Sequence, residues 1–103
     1  MLSKFFLRFS PLLFINIKGK SMYPTIQNKQ KLLVVKYVIK SPQVNDIVVC
    51  KHPVTEVLLI KRIKKHNKNL YWVEGDNKEE STDSRDFGWI EKKYILGHVV
   101  QFR

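Results

Sequence analysis

Residues 32–63, LLVVKYVIKSPQVNDIVVCKHPVTEVLLIKRI, consist of three β-branched apolar runs separated by polar turns. Short runs of this kind, bounded by Pro, Asn and Asp, are typical of strands rather than helices. Two more runs follow, LYWVEG at 70–75 and ILGHVVQF at 95–102, and the polar residues 64–69, KKHNKN, are expected to form a hairpin-like connection before the first of them. The pattern therefore predicts a mainly β domain.

The composition bounds the class of protein. A chain of 103 residues has room for one domain, and its 44% hydrophobic and 27% charged residues are typical of a folded globular protein. The excess of 19 Lys and Arg over 9 Asp and Glu gives a net charge of +10, which suits an acidic lipid surface, a nucleic acid or an acidic substrate. Because the lysines are spread along the whole chain, an ordinary solvated surface is the favoured interpretation.

Residues 1–17, MLSKFFLRFSPLLFINI, form an apolar N-terminal segment, and residues 18–103 form the predicted core domain. Charged residues and Pro11 interrupt this segment, so it lacks the roughly 20 apolar residues that a spanning helix needs. We expect no transmembrane helix. The segment is either a strand or short helix packed on the domain, or it lies on a membrane surface. The protein is accordingly expected in the cytoplasm or at the periphery of a membrane.

The cysteine and histidine content argues against a metal site. Cys50 is the only cysteine, so an intrachain disulfide and a cysteine-rich zinc site are both excluded. Its position in the apolar run IVVC predicts a buried structural thiol. The three histidines are far apart and have no metal-ligand spacing. We expect neither a metal nor another cofactor.

Ser21, in the motif GKSMYPT, is the first candidate for chemistry. Gly19 permits a positive φ or a close backbone approach, and Pro24 restricts the chain just after the serine. Such a bend would expose the hydroxyl and direct the backbone N–H of Ser21 at a developing oxyanion. The alternative is an ordinary turn serine, and this segment taken alone favours that interpretation.

A nucleophilic serine needs a base, and no histidine has a supporting context. Lys61 is the best lysine candidate, because strand alternation gives it only aliphatic neighbours on its face: Val57, Leu59 and Ile63. Desolvation there would lower its pKa, whereas the guanidinium of Arg62 cannot deprotonate. The alternative is a charged residue that protects an edge strand from aggregation.

Residues 75–88, GDNKEESTDSRDFG, form a polar connection without an aliphatic side chain, and Gly75, Asp76 and Asn77 at its start are strong turn formers. On the functional interpretation, a hydroxyl from Ser81 bonds to the lysine amine, and an interaction between Asp83 and Arg85 holds the loop. On the alternative interpretation this is a solvated surface loop. Composition alone does not decide between them.

Taken together and in this order, these segments resemble the type I signal peptidase family of serine/lysine proteases over residues 17–100. The family pattern GxSMxPT is present as GKSMYPT, and a GDIVV-like strand is present as NDIVVCKHP, with Asn45 in place of glycine. A KR pair follows in IKR. The pattern GDNxxxSxDSRxFG is present as GDNKEESTDSRDFG, and GHVV comes after it.

The resemblance implies a role for each candidate residue. Ser21 would be the nucleophile, Lys61 the general base and Ser81 the hydroxyl that orients the lysine, with Asp83 and Arg85 in support. Because Gly19 stands where some members carry a hydroxyl, the oxyanion hole would use backbone N–H groups, including that of Ser21. The implied fold is a small, coiled, barrel-like β-sheet, which the repressor-cleaving LexA-like peptidases share.

The short interval between Arg62 and Gly75 leaves no room for the large inserted β domain of long signal peptidases. The chain therefore resembles the short members, such as the maturation proteases of nickel-type superoxide dismutase and the small inner-membrane peptidases of organelles. The resemblance implies an endopeptidase that removes an N-terminal leader or propeptide from a precursor protein. A nickel superoxide dismutase precursor is the favoured substrate, and secretory preproteins come second.

An alternative from another class is a basic β module without activity. It would bind nucleic acid or an anionic membrane through its positive charge and through Tyr71 and Trp72, taken as exposed aromatics. The intact set of Ser21, Lys61 and Ser81 argues against this alternative and against a nucleic acid partner.

Overall fold

The computed structural model of the protein describes residues 12–37 and 40–102. Seven strands form one sheet with the spatial order β1-β2-β7-β3-β4-β5-β6. Neighbouring strands are antiparallel, and the sheet curls into a half-barrel, which confirms the mainly β prediction. The strands are β1 (Leu12–Asn16), β2 (Lys31–Lys36), β3 (Ile47–Lys51), β4 (Leu58–Asn67), β5 (Leu70–Glu74), β6 (Ile90–Glu91) and β7 (Ile95–Phe102).

The curled sheet has a hydrophobic core on each face. Successive side chains of a strand point to opposite faces, so Val48 and Val49 of β3 enter different cores. The first core contains Val48, Cys50, Ile63, Tyr71, Val73, Ile90 and Ile95. The second core contains Ile17, Met22, Ile26, Leu32, Val34 and Val49.

Part of the N-terminal segment is an edge strand. Leu12–Asn16 pair with β2, and Leu13 and Ile15 pack against the second core. Leu12 and Phe14 face outward and are exposed. Residues 1–11 lie outside the described part, so the choice between a packed segment and a membrane-surface segment stays a prediction. No helix among the described residues is long and apolar enough to cross a bilayer.

Two local predictions about β4 were wrong. Val57 does not share the face of Lys61, because β4 begins at Leu58 and Val57 is exposed in the turn before it. That turn is closed by a hydrogen bond from the N–H of His52 to the carbonyl of Val57. At the other end β4 continues to Asn67, so the connection expected over residues 64–69 shrinks to a two-residue turn.

Tyr71 is not an exposed aromatic. It is 2% exposed, because it shares a face of β5 with Val73 and packs in the first core. Trp72, on the opposite face, is partly buried, and its ring contacts Trp89 at 5.4 Å between centroids. Of the two aromatics named for the alternative binding module, only Trp72 stays at the surface, and it lies beside the exposed Trp89.

The polar connection 75–88 has more structure than a solvated loop. It contains a 3₁₀ turn at Lys78–Glu80 and a single-turn α-helix, α1 (Ser84–Phe87). Asp83 caps α1, and its side chain accepts a hydrogen bond from the backbone N–H of Arg85. The cap fixes the position of Asp83 at the end of β5.

Candidate active site

Lys61 lies on β4 with its side chain in the first core. It is 2% exposed, and Val48 is its partner on β3. Burial lowers its pKa below the ordinary lysine value, although the negative charge of Asp83 partly opposes this shift. The positive charge of Arg85 adds to the lowering. The site therefore makes the neutral amine, the form that can accept a proton, easier to reach than in an exposed lysine.

Ser81 connects this amine to a carboxylate. Lys61 Nζ donates to Ser81 Oγ at 2.9 Å, and Ser81 Oγ donates to Asp83 Oδ2 at 2.6 Å. The single hydroxyl proton of Ser81 is thereby committed to Asp83, so its lone pairs face the lysine. When Lys61 is neutral and donates one N–H to Ser81, the lone pair on Nζ remains available to accept a proton from another group.

Asp83 is fully buried and richly hydrogen-bonded. Its carboxylate accepts from Arg85 Nε at 3.0 Å, from Arg85 Nη2 at 2.8 Å and from the N–H of Gly75 at 2.9 Å. Burial alone would raise its pKa, but the hydrogen bonds from Arg85, Ser81 and Gly75 hold that pKa below the ordinary aspartate value. Asp83 is therefore a carboxylate, and Arg85 balances its charge.

Ser21 lies on a different segment, the loop of residues 18–26, called here the serine loop. Gly19 opens it with a φ of 96°, in the left-handed region that favours glycine. Met22 and Ile26 are buried in the second core and anchor the loop on the sheet. The hydroxyl of Ser21 makes no hydrogen bond to any described residue, so it is not tied to Lys61 in this structure.

Gly75 is where the serine loop meets the lysine network. A Cβ at this position would lie 2.2 Å from Ser81 Oγ and 2.6 Å from the carbonyl oxygen of Ser21. That carbonyl accepts from the N–H of Asn77 at 2.8 Å, and Asn77 Nδ2 donates to the carbonyl of Lys20 at 2.9 Å. Only a residue without a side chain permits this approach.

The structure thus places the predicted residues in two groups. Lys61, Ser81, Asp83 and Arg85 form one continuous network of hydrogen bonds. Gly19 and the hydroxyl of Ser21 stand apart from it, and the groups touch through the Ser21 backbone. The sequence interpretation took residues 75–77 for simple turn formers and missed their contacts with the serine loop.

A cavity of about 260 Å³ opens beside Ser21. One wall comes from the end of β1 and the start of the serine loop, and the other comes from Leu58 and Ile60 of β4. The lining is mainly aliphatic. Its members are Ile15, Asn16, Ile17, Lys18, Gly19, Ser21, Met22, Leu58 and Ile60.

The histidines stand outside both groups. His98 stacks on Tyr37 at 4.9 Å between ring centroids, and His52 makes an edge contact with Phe87 at 4.9 Å. Within residues 12–37 and 40–102, no three His, Cys, Asp or Glu residues are placed to hold a metal ion.

Known proteins resemble this chain along most of its length. The sequence profile of the signal peptidase family, peptidase S26, matches residues 1–65 and 64–102. The mitochondrial inner membrane protease subunit 1 of Xenopus tropicalis is 31% identical over 104 aligned residues, which cover 79% of this chain. The chain spans 62% of the length of that relative. Matched by the family profile from end to end, the chain belongs to the signal peptidase family, peptidase S26.

Proposed function

We propose that the protein is a serine endopeptidase that removes an N-terminal leader or propeptide, with Ser21 as nucleophile and Lys61 as general base. The observation that carries the proposal is the buried network from Lys61 through Ser81 to Asp83. Burying a lysine to 2% exposure, with a lowered pKa, costs folding free energy, and a buried group of this kind favours a functional role. Proton transfer to and from Ser21 is such a role.

The reaction follows from these groups. Neutral Lys61 takes the hydroxyl proton of Ser21 as the oxygen attacks the scissile carbonyl, and the oxyanion accepts a hydrogen bond from the backbone N–H of Ser21. Gly19 leaves space beside this N–H. The lysine ammonium then returns the proton to the departing amine, which leaves an ester on Ser21. In the second half Lys61 deprotonates a water that hydrolyses the ester.

Ser81, Asp83 and Arg85 serve as positioning residues. Ser81 restricts rotation of the Lys61 amine, because the Ser81 hydroxyl is itself fixed by its hydrogen bond to Asp83, with 2.6 Å between the two oxygens. Arg85 neutralises Asp83, so the carboxylate can orient Ser81 without strongly stabilising the lysine ammonium. Proton loss from Lys61 is thereby opposed less than it would be beside an unbalanced carboxylate.

The cavity indicates the substrate class. It adjoins Ser21 and is walled by Ile15, Ile17 and Ile60, so it suits a small apolar side chain of the leader. Since its walls come from two separated segments of the sheet, the leader would enter extended between them. We retain a nickel superoxide dismutase precursor as the first candidate and a secretory preprotein as the second, on family resemblance alone.

The test compares two variants with the wild type on these precursors, with mass spectrometry of the cleaved amino terminus as readout. Ser21→Ala and Lys61→Met are each expected to lower turnover by about 10⁴-fold or more, because nucleophile and base act as a unit. Lys61→Met is also expected to unfold at the same or a higher urea concentration than the wild type, since it removes a buried amine.

Circular dichroism of both variants is the control for folding. Cleavage by Ser21→Ala at the wild-type rate would end the catalytic proposal, and activity in Lys61→Met would refute the base assignment. Cleavage of a secretory preprotein but not of the nickel enzyme's precursor would reverse the order of substrates.

One observation favours the second candidate function, a basic module that binds an anionic surface. Lys65 lies 5.2 Å from the ring centroid of Trp72, which contacts Trp89 in turn. Salt-sensitive binding to anionic vesicles or single strands, with no turnover of any leader, would support this candidate instead.

A further inference from the structure

A further polar contact joins the serine loop to the connection 75–88. Its residue on the serine loop, Thr25, follows Ser21 in the chain. Thr25 Oγ1 donates to Asp76 Oδ2 at 2.6 Å. The same carboxylate accepts from Arg62 Nε and from Arg62 Nη2, each at 2.9 Å. Arg62 directly follows the proposed base in β4. A single carboxylate therefore links the serine loop to the strand of the lysine.

The link is geometrically defined. The paired hydrogen bonds from Arg62 fix the plane of the Asp76 carboxylate, as expected of a guanidinium fork. Arg62 Nη1 also donates to the carbonyl of Asn45 at 3.1 Å, so the guanidinium is held from two sides. The hydrogen bond from Arg62 lowers the pKa of Asp76, and the one from Thr25 adds to this. Asp76 therefore stays an ionised acceptor.

The contact completes a two-point attachment of the serine loop. Before and at the serine, the carbonyls of Lys20 and Ser21 accept hydrogen bonds from Asn77. After the serine, Thr25 donates to Asp76, the residue next to Asn77.

Met22 and Ile26 also follow Ser21 and anchor the loop by burial in the second core, and Met22 Sδ accepts from the N–H of Asp76 at 3.4 Å. The bond from Thr25 adds a short, directional contact to these anchors on the side of the loop that follows Ser21.

We propose that Thr25 is a positioning residue, whose hydroxyl fixes the serine loop at the distance from Lys61 that the reaction needs. This inference rests on the proposed function. Attack requires the reacting groups within a few tenths of an ångström of their productive positions, and a misplacement of about 1 Å costs on the order of 10²-fold in rate. Thr25 contacts neither the cavity nor the lysine network, so it acts on geometry alone.

The test uses two variants of nearly equal shape. Thr25→Val removes the hydroxyl and keeps the branched side chain, and it is expected to lower kcat about tenfold or more with KM within about twofold. Thr25→Ser restores a hydroxyl and is expected to stay within about threefold of the wild type. The acid limb of the pH profile should not move in either variant, because the network of Lys61 is intact.

Two outcomes for the Thr25 variants would contradict the positioning role of this residue. Wild-type kcat in Thr25→Val, or equal losses in Thr25→Val and Thr25→Ser, would overturn it, provided that Ser21→Ala is inactive. Activity in Ser21→Ala would instead refute the proposed function. If Thr25→Val does not fold, Arg62→Lys replaces it, because lysine cannot make the paired hydrogen bonds that hold the Asp76 carboxylate. This variant is expected to lower kcat with KM unchanged. An unchanged kcat would overturn the inference.

Discussion

The two halves of the proposed site are built by different means. The lysine half is buried, and side chains hold it: Lys61 and Asp83 are 2% and 0% exposed and are joined through Ser81. The serine half is largely exposed, and it is held by hydrogen bonds to the carbonyls of Lys20 and Ser21, by the Thr25 hydroxyl and by the buried side chains of Met22 and Ile26. A buried polar network must be satisfied for the chain to fold, whereas an exposed loop can shift without unfolding the protein. The position of Lys61 is therefore determined by the folding of the core, whereas the position of Ser21 depends on the individual contacts of an exposed loop.

Apart from the proposed nucleophile and base themselves, the largest expected effect comes from Gly75, where the two halves touch. In Gly75→Ala the new Cβ would collide with the carbonyl of Ser21 and with Ser81 Oγ, so both halves must move. We expect kcat to fall by about 10²-fold or more, and the free energy of unfolding by about 1–3 kcal/mol. Steady-state kinetics and urea unfolding would measure these changes.

Gly88→Ala is the matched control for that experiment. Gly88 has a φ of 82°, and nothing lies within 4 Å of its would-be Cβ, so alanine introduces strain without a collision. Because its ψ of −161° completes a backbone conformation almost confined to glycine, alanine is expected to cost about 1–3 kcal/mol of stability and to leave kcat near the wild-type value. Equal activity in the two alanine variants would show that Gly75 does not join the halves.

An intermediate effect is expected within the lysine half. Ser81→Ala leaves Lys61 Nζ without its partner and is expected to lower kcat by about 10- to 100-fold, with KM little changed. Ser84→Ala is the control from the same connection. Among residues 12–37 and 40–102, the buried Ser84 hydroxyl bonds only to the N–H of Val73, from which it accepts at 2.8 Å.

Ser81→Ala should mainly lower turnover, whereas Ser84→Ala should mainly lower stability. Ser84→Ala is expected to lower the free energy of unfolding by about 1–2 kcal/mol and to keep kcat. A loss of turnover in Ser84→Ala that equals the loss in Ser81→Ala would mean that the connection acts only through stability.

The smallest expected effect is a shift of the acid limb of the pH–activity profile to lower pH. Lys61 must be neutral to act, so activity is lost as pH falls through its pKa. Because burial lowers that pKa below 10.5, full activity should be reached at a lower pH than an exposed lysine would require. The profile of kcat/KM for the wild type measures this limb, and a limb centred at the ordinary lysine pKa would contradict the burial argument.

Much of the fold could be predicted from the sequence, because period-two alternation is a local signal. The same signal does not say which face is the core when both are apolar, as in LYWV, and for that reason Tyr71 was taken for an exposed residue. Val57 was misplaced because alternation does not mark where a strand begins.

The proposed site was predictable in so far as its residues stand in motifs. Ser21, Lys61 and Ser81 could be named in advance, but the close approach at Gly75 could not. Nor could the bond from Thr25 to Asp76, because these residues are 51 positions apart and meet only after the sheet has curled. Contacts of this kind depend on tertiary packing.

Cys50 lies in the first core beside the proposed base and is fully buried. Burial raises the pKa of its thiol to about 12, so the reactive thiolate is scarce at neutral pH. Reagents that alkylate or oxidise thiols should therefore leave the folded protein unmodified. A cysteine introduced on the serine loop would then be the single point of attachment for a fluorescent or spin label, with the native thiol left in place.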